Sequence, residues 1–346
     1  MDRHLRRWTW RHHGVVHQGD RRARSVTVLA AMLMAAAIGV GATPAAAQQY
    51  PAPGRVTGDV AGVHDPEAVR APDGTYIVAS TGNGIDIRTS NDRVDFRRIG
   101  SAFPGGTPWA NPYTNNGRHL WAPDLSHHNG QYHLYYSAST FGSQNSAIFL
   151  ATSPTAMPGT WTHRGMVIDS SRAVDYNAID PNLLIDDEGR WWLSFGSFWT
   201  GIKMIALDPA TGLRAFGDQT VHSLARRTTA GGAVEAPFIH RRGEYYYMFI
   251  SFDLCCRGTN STYRTMVGRS TAPTGPYVDR DGVPLMNGGG TQVLAGHGNV
   301  RGPGHPSVLS DGGDDLLLYH YYAGGGASYL GINLLGWDAQ GWPYVY

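Results

Sequence analysis

Three informative residue types are scarce in this chain of 346 residues, which has two cysteines, one lysine and four glutamates. The cysteines, Cys255 and Cys256, are adjacent, so the chain lacks the spaced pairs of zinc and redox sites. The arginines cluster only near the N-terminus, which argues against a nucleic-acid-binding protein. No phosphate-binding loop and no serine–histidine–aspartate order is present, which argues against nucleotide and serine-hydrolase chemistry.

Long hydrophobic runs are scarce too, and the main one lies near the N-terminus. Val26–Val40 follows an arginine-rich stretch and precedes the small residues of Thr43–Ala47. At 15 residues this run is short for a membrane span, and the order of the three parts is typical of a secretory signal peptide. We predict that residues 1–47 are cleaved on export, with Arg21-Arg22 hinting at the twin-arginine route. Residues 48–57 would then form a short linker.

Loss of this leader changes the formal charge from +1 to −4, since 21 basic and 25 acidic residues remain. We therefore predict a mildly acidic, secreted, extracellular protein. Secretion permits disulfides, but a bond between adjacent cysteines is strained. Of the two states we favour reduced, buried thiols at Cys255 and Cys256.

Turn-forming and aromatic residues are abundant: 45 glycines, 20 prolines, 10 tryptophans, 18 tyrosines and 10 phenylalanines. The hydrophobic fraction of 42% against 16% charged residues excludes a disordered chain. Length alone would predict about two domains at roughly 150 residues each. The glycine and proline content instead favours many turns over long helices.

Five segments share one pattern, in which a proline and a hydrophobic pair precede a glycine turn and an aromatic-rich alternating run. The prolines are spaced by 57, 58, 56 and 69 residues: Pro66, Pro123, Pro181, Pro237 and Pro306. The turn glycines follow six to eight residues later: Gly74, Gly130, Gly189, Gly243 and Gly312. Each segment is therefore predicted to be a β-hairpin, with further short strands such as 147–152 and 264–270 between them.

A period near 58 over the 299 residues after the leader gives five units. Four short strands per unit match one propeller blade. We predict an all-β, five-bladed β-propeller with four-stranded antiparallel blades around a central channel. It would form a single domain over residues 58–346. The alternative is a large β-sandwich whose segments are similar by chance.

The inner strand of each blade starts near the channel, so the polar residue before each repeat proline should point toward a common axis. These residues are Asp65, Asp180, Glu235 and His305, with Trp121 and Asp124 flanking the proline of the second unit. An aspartate before proline can instead cap a turn. Three converging carboxylates and a histidine nevertheless indicate a functional pocket.

Among the four glutamates, Glu235 lies in an apolar setting, whereas Glu188 and Glu244 are at hairpin turns and Glu67 follows Asp65-Pro66. Burial raises the pKa of a carboxyl group, as a general acid near neutral pH requires. Glycoside hydrolysis combines such an acid with a second carboxylate. Aromatic residues could stack on sugars, although core packing explains them equally well: Trp121, Phe141, Tyr176, Phe198 and Trp199.

The motifs resemble glycoside hydrolase family 43, and within it the endo-1,5-α-L-arabinanases. The resemblance covers about Gly58 to Pro343 and is carried by VHDPEAV, NAIDPN, SFGSFW, VEAPFI, SFDLCCRG and GPGHPSV in this order. It implies a five-bladed propeller and an inverting mechanism. Asp65 would be the general base, Glu235 the general acid, and Asp180 the residue that orients Glu235 and raises its pKa. Inversion needs the Asp65 and Glu235 carboxyls roughly 6.5–9.5 Å apart.

The resemblance also implies substrate-binding positions, namely Trp121, Gly142, Asn145, Asn177, Ala178, Ile179, Ser197, Phe198 and Trp199. It implies one central ion, usually calcium, near His305, with water supplying most of the oxygen ligands that calcium prefers. The other histidines lack ligand spacing and are expected to be structural: His64, His119, His127, His128, His297 and His320. The expected partners are arabinan and arabino-oligosaccharides, without nucleic acid or membrane, and the expected state is a monomer.

Three alternatives stay open. An exo-acting arabinofuranosidase or a β-xylosidase would use the same fold, and an open groove would favour endo action. A non-catalytic sugar-binding propeller would need the aromatic residues but not three carboxylates. A retaining fructan hydrolase is disfavoured because its RDP and EC motifs are absent.

Overall fold

Each of the five repeat segments forms a β-hairpin, and each turn carries its glycine in the left-handed region. The φ angles are 93°, 73°, 75°, 58° and 63° at Gly74, Gly130, Gly189, Gly243 and Gly312. Glycine adopts this conformation without a steric cost, which allows a tight turn between paired strands. The hairpins predicted from the repeat are thus confirmed.

This computed structural model describes residues 50–346, whose strands follow one another in five groups. The predicted signal peptide, residues 1–47, lies outside the described residues.

The first group contains β1 (Thr57–Gly58), β2 (Glu67–Arg70), β3 (Tyr76–Ser80), β4 (Gly82–Asn83), β5 (Asp86–Ser90) and β6 (Asp95–Ser101). The second contains β7 (His119–His128), β8 (Gln131–Ala138), β9 (Ser146–Ser153) and β10 (Thr162–Ser170). The third contains β11 (Asn182–Ile185), β12 (Trp191–Phe195), β13 (Ile202–Leu207) and β14 (His222–Ala225). The fourth contains β15 (Val234–Arg242), β16 (Tyr245–Phe252), β17 (Arg264–Ser270) and β18 (Thr291–Leu294). The fifth contains β19 (Arg301–Asp311), β20 (Asp314–Ala323), β21 (Ala327–Trp337) and β22 (Pro343–Val345).

These groups are the blades of a five-bladed β-propeller. The inner strands contact one another around a closed ring: β2 with β7, β7 with β11, β11 with β15, β15 with β19, and β19 with β2. Three blades have the four predicted strands, whereas two sheets have five. The additional strands are β1, which pairs in parallel with β6, and β4, which leaves the first blade to pair with β7 of the second.

The hydrophobic core is divided into five clusters, one between each pair of neighbouring blades. On β8, Leu134 and Tyr136 pack toward the first blade, whereas Tyr135 between them packs toward the third. Successive side chains of a strand point to opposite faces. The alternating aromatic runs of the sequence therefore bury both faces of each blade.

The ring is joined by the segment that precedes the first inner strand. The N–H of Gly54 donates to the carbonyl of Ile332 at 2.7 Å, and the N–H of Leu330 donates to Val60 at 3.0 Å. Since β1 pairs with β6, this segment connects the first and fifth blades.

Helical structure is limited to α1 (Asn111–Thr114) and short 3-10 turns at Pro108–Ala110, Ala230–Gly232, Gly258–Asn260, Leu285–Asn287 and Gly324–Gly326. Over residues 50–346, no helix has the length and hydrophobicity needed to cross a bilayer.

Candidate active site

The residue directly before each repeat proline lies in the left-handed region, either just before the inner strand or within its first five residues. The φ angles are 52° at Asp65, 44° at Ala122, 58° at Asp180, 55° at Ala236 and 52° at His305. Residues with a Cβ atom seldom adopt this region, and they persist there where the surroundings hold the backbone firmly. Backbone strain is therefore concentrated at five equivalent positions around one axis.

The preceding blade holds the backbone N–H of each of these residues. The acceptors are Thr81 Oγ1 for Ala122 (2.8 Å), Ser137 Oγ for Asp180 (2.9 Å), Ser251 Oγ for His305 (2.8 Å) and His320 Nδ1 for Asp65 (3.1 Å). In the third blade the corresponding position is Gly196, which has no side chain. Here Oδ2 of Asp180 accepts the N–H of Ala236 at 3.1 Å. Asp180 thus replaces a missing hydroxyl and fixes the peptide next to Glu235.

Asp65 is held through both carboxyl oxygens. Nδ1 of His305 lies 3.1 Å from Oδ1, and Thr81 donates a very short hydrogen bond to Oδ2. Burial alone would raise the pKa of Asp65, but the charge of His305 and its hydrogen bond hold that pKa well below the usual range. Burial likewise opposes the charge on His305, yet Asp65 raises the pKa of His305 to about 9. At neutral pH the two residues therefore form an ion pair.

Glu235 is 9% exposed and forms an isolated antiparallel bridge with Ser197. Its Oε2 atom lies 2.5 Å from Oγ of Ser197, and its Oε1 atom is bonded by the hydroxyl of Tyr263. Burial raises the pKa of Glu235, although the two hydroxyls and the charge of His305 oppose the rise. Burial also raises the pKa of Asp180, to about 8. The positive charge of His305 opposes this rise, whereas the negative charges of Glu235 and Asp65 add to it.

These groups line one open cavity of about 1000 Å³. It includes all four polar residues predicted to converge: Asp65, Asp180, Glu235 and His305. Most residues predicted to bind substrate are also there: Trp121, Gly142, Asn177, Ile179, Ser197, Phe198 and Trp199. Phe141 stands at the wall with 85% of its surface exposed.

A second cavity of about 770 Å³ continues from the first. The two share Gly142, Ser143 and Trp199, and the second adds Asn145 and Arg172. The predicted substrate-binding residue Asn145 therefore lies beyond the main cavity.

Two further residues from the sequence prediction face away from both cavities. Ala178 is fully buried, and its N–H donates to Ser170 at 2.9 Å. Tyr176 packs edge-on against Phe195 with ring centroids 5.5 Å apart. Tyr176 therefore belongs to the hydrophobic core and does not contact the cavity.

Asp124 does not line the cavity, unlike the other polar residues that flank the repeat prolines. It follows its proline, whereas Asp65 and Asp180 precede theirs, so Asp124 lies two positions further along the inner strand. Its Oδ1 accepts Nδ2 of Asn182 at 2.8 Å, and its carboxyl hydrogen-bonds that of Glu67. Burial raises the pKa of Asp124 to about 7, and burial together with the charge of Asp124 raises the pKa of Glu67 well above its usual range, so the two carboxyls titrate as a pair.

Several cavity residues were not predicted from the sequence, among them Thr81, Tyr263, His64 and His119. The repeat contains a signal for part of this set. Thr81, Ser137, Gly196, Ser251 and His320 each follow their repeat proline by 14 or 15 residues. Comparing these positions would have identified the acceptors of the strained N–H groups.

The expectation of reduced, buried thiols is wrong. Cys255 and Cys256 form a disulfide, Cys256 is exposed, and both residues line the main cavity. The left-handed backbone of Cys256, with φ of 65°, turns the chain sharply between the two side chains. This local turn could not be read from the sequence.

The implied cation can be tested against the residues around His305. Asp65 engages Nδ1 of His305, which leaves Nε2 as the ring nitrogen that can bind a metal, and a carboxylate behind a histidine is a common support for such a ligand. Among the described residues, the potential ligand atoms of His64, Asp65 and His320 lie within 4.8 Å of one another. This cluster does not include His305, so His305 alone would hold the implied cation, through Nε2 with water as the other ligands, and it would first have to lose its Nε2 proton.

Comparisons with known proteins agree with this geometry. The model of Glycosyl hydrolases family 43 matches residues 60–343. The extracellular endo-α-(1→5)-L-arabinanase 1 of Bacillus subtilis is 40% identical over 288 residues, which cover 81% of this chain and 87% of that protein. The extracellular exo-α-(1→5)-L-arabinofuranosidase of Cellvibrio japonicus is 42% identical over 301 residues, which cover 82% and 86%.

Among solved structures, the GH43 endo-arabinanase from Bacillus licheniformis superimposes with a TM-score of 0.79. It is 44% identical, and the match covers 84% of this chain and 99% of that structure.

Proposed function

Since the chain belongs to glycosyl hydrolase family 43, we propose that it is a secreted arabinanase that cleaves internal α-1,5-L-arabinofuranosidic linkages of arabinan with inversion. The observation that supports this most directly is the presence of three carboxyl groups in one cavity, each with different hydrogen-bond partners. Asp65 stays ionised, whereas Asp180 and Glu235 retain protons to higher pH. An inverting hydrolase needs one carboxylate and one carboxylic acid at the same time.

Asp65 acts as the general base. Its charge is fixed by the ion pair with His305, and Thr81 restricts its rotation. A water molecule between Asp65 and the sugar gives its proton to the carboxylate while its oxygen bonds to the anomeric carbon. The strained backbone of Asp65 is fixed by the hydrogen bond from its N–H to Nδ1 of His320. The carboxylate therefore has a defined direction.

Glu235 acts as the general acid and gives its proton to the leaving oxygen as the glycosidic bond breaks. Burial raises the pKa of Glu235 and so favours the protonated form that a general acid requires. Asp180 assists without touching the reacting atoms, because it holds the N–H of Ala236 next to the acid. The two carboxyls repel each other when both are ionised, so Asp180 and Glu235 titrate as a pair.

Endo action is supported by the continuity of the two cavities. Their shared wall of Gly142, Ser143 and Trp199 would let a chain extend past the three carboxyls on one side. The relatives include both an endo-acting and an exo-acting enzyme. Exo cleavage of terminal arabinofuranose is therefore the second candidate.

A cation, with calcium as the proposed ion, would bind Nε2 of His305 and water. When bound, it would supply positive charge beside Asp65. Chelation followed by a melting curve tests this: a lowered melting temperature that calcium restores supports the site, and an unchanged curve argues against it.

Secretion is supported by the leader-like residues 1–47 and by the names of the two extracellular relatives. N-terminal sequencing of protein collected from the culture medium would locate the cleavage site. Sedimentation of the same material would test the proposed monomer.

The activity is tested by product analysis on linear, debranched arabinan beside an aryl α-L-arabinofuranoside and an aryl β-xyloside. Oligosaccharides of several lengths should appear first, with the initial anomer inverted by proton NMR. Arabinose alone from the first minutes would establish exo action instead. Glu235→Gln should lose activity on arabinan by about 100-fold or more and keep its fold, which separates catalysis from simple sugar binding.

A further inference from the structure

Tyr263 was not identified by any sequence motif, yet its phenol contacts the general acid directly. The side chain is 2% exposed, and its hydroxyl bonds Oε1 of Glu235. Its ring packs against Gly304, where an added Cβ atom would lie 2.4 Å from the ring carbon Cδ1. The glycine of the GPGH motif therefore makes room for a tyrosine that touches Glu235.

The proton balance of Glu235 limits what each hydroxyl can do. A protonated carboxyl group has one O–H and one oxygen that only accepts. Burial, with the nearby charge of Glu235, raises the pKa of Tyr263 well above its usual range, so the phenol keeps its proton. Over residues 50–346, its hydroxyl has one hydrogen-bond partner, which is Oε1 of Glu235. Oε1 is therefore the accepting oxygen in both protonation states.

The other oxygen has a different partner. Oε2 lies 2.5 Å from Oγ of Ser197, a hydroxyl that can donate to a carboxylate or accept from a carboxylic acid. Ser197 can therefore reverse the direction of its bond when Glu235 gives up its proton, whereas Tyr263 cannot.

We propose that Tyr263 is a positioning residue for the acid: it holds Oε1 as a permanent acceptor, so that Oε2, beside Ser197, carries and delivers the catalytic proton. This inference rests on the proposed role of Glu235. It goes beyond that role because it assigns Oε2 as the oxygen that delivers the proton and Tyr263 as the residue that determines this choice.

The Tyr263 bond also favours the charged form of Glu235 and so opposes the effect of burial. The other groups that act on Glu235 are Ser197 through its hydrogen bond and Asp65, Asp180 and His305 through their charges. Without the phenol, Glu235 would hold its proton more tightly and be a weaker acid toward a poor leaving group.

The test compares Tyr263→Phe with Tyr277→Phe. Tyr277 is an equally buried tyrosine that follows β17, and its hydroxyl donates to the carbonyl of Pro273 at 2.8 Å, away from the cavity. Tyr263→Phe should reduce kcat on arabinan by about 10- to 100-fold and move the basic limb of the pH profile upward. On an aryl α-1,5-arabino-oligosaccharide with an activated leaving group, the loss should stay below about threefold, because that group needs little protonation. Tyr277→Phe should leave the profile and this ratio unchanged.

If Tyr263→Phe does not fold, fluorotyrosine incorporated at position 263 provides the second test. It preserves the shape and strengthens the donor, so the basic limb should move downward. An unmoved limb in either variant, or equal losses on both substrates, overturns the proposal. Glu235→Gln is measured in parallel: if it keeps its activity on arabinan, the assignment of the acid itself has failed. If Glu235→Gln is inactive while Tyr263→Phe behaves like Tyr277→Phe, only the role of Tyr263 has failed.

Discussion

The carboxylate oxygen Oδ2 of Asp180 accepts the backbone N–H of Ala236 at 3.1 Å. In the other blades a side chain from the second strand of the preceding blade holds the equivalent N–H. The third blade has Gly196 there, with φ of 132°, and a Cβ atom would approach the carbonyl oxygen of Gly201 at 2.5 Å. Local packing requires a glycine at position 196, so no side chain from this position can accept the N–H of Ala236. The carboxyl group of Asp180 accepts it instead, next to the general acid.

This contact predicts different effects for two substitutions of Asp180. Asp180→Asn retains an oxygen that can accept the Ala236 N–H and resembles the neutral form favoured below its pKa of about 8. Asp180→Ala removes the carboxyl group and with it the contact to the Ala236 N–H. We expect Asn to reduce kcat on arabinan by about 10-fold or less and Ala by about 100-fold or more. Steady-state kinetics at pH 6 would check this, and equal losses would contradict the positioning role of the hydrogen bond.

Asp65→Asn should abolish the general base while leaving the strained turn in place, since the N–H bond to His320 is a backbone contact. The expected loss in kcat on arabinan is about 10²- to 10⁴-fold. Asp281→Asn, at an exposed turn, is the matched control and should keep wild-type rates. Circular dichroism must show that both variants are folded. If Asp65→Asn retains more than a tenth of the rate, another group activates the water.

The repeat in the sequence predicted five blades and the convergence of Asp65, Asp180, Glu235 and His305, because each lies one or two residues before its repeat proline. The prediction was less accurate for Asp124, because it lies two residues further along its inner strand than Asp65 does along its own, which moves its side chain to another level of the channel. Tyr263 and the bonded state of Cys255 and Cys256 depend on loops outside the repeat. Their positions are set by contacts with other blades, which no local pattern encodes.

The Glu67–Asp124 pair predicts an unusual dependence of stability on pH. The folded-state pKa of Asp124, about 7, lies above its ordinary value of 3.8. Raising the pH through this interval therefore makes the buried pair increasingly unfavourable relative to the unfolded chain. Asp124→Asn, whose amide can donate to Glu67, should stabilise the protein by roughly 2 to 4 kcal/mol at pH 8 and by little at pH 4.

Urea denaturation at both pH values would measure this difference. Asp186→Asn is the control of opposite sign. Hydrogen bonds from Trp192 and Arg190 outweigh the burial of Asp186 and lower its pKa, so its contribution to stability is present above the unfolded pKa and is lost in acid. Asp186→Asn should therefore destabilise the protein at pH 8. A stabilising effect of Asp124→Asn that does not change with pH would show that the carboxyl pair is not the cause.

The disulfide between Cys255 and Cys256 predicts an effect of reduction on substrate binding rather than on catalysis. Both residues line the main cavity, and the N–H of Cys256 donates to the hydroxyl of Tyr322 at 2.9 Å. The base of this loop is held independently, since the N–H of Thr262 donates to the carbonyl of Leu254 at 2.8 Å. Reduction should therefore loosen the cavity wall, while the hydroxyl of Tyr263 remains hydrogen-bonded to Glu235.

We expect complete reduction by a phosphine to raise KM on arabinan severalfold and to leave kcat within about twofold. Alkylation and mass spectrometry should detect no free thiol before reduction and two afterwards. A variant with Cys255→Ser and Cys256→Ser should have the raised KM from the start and should not respond to the reductant. Two alkylated thiols in the untreated protein would contradict the bond itself. An unchanged KM after verified reduction would instead show that the sulfur atoms do not shape the binding wall, because the loop then keeps its form through the Leu254–Thr262 and Cys256–Tyr322 contacts alone.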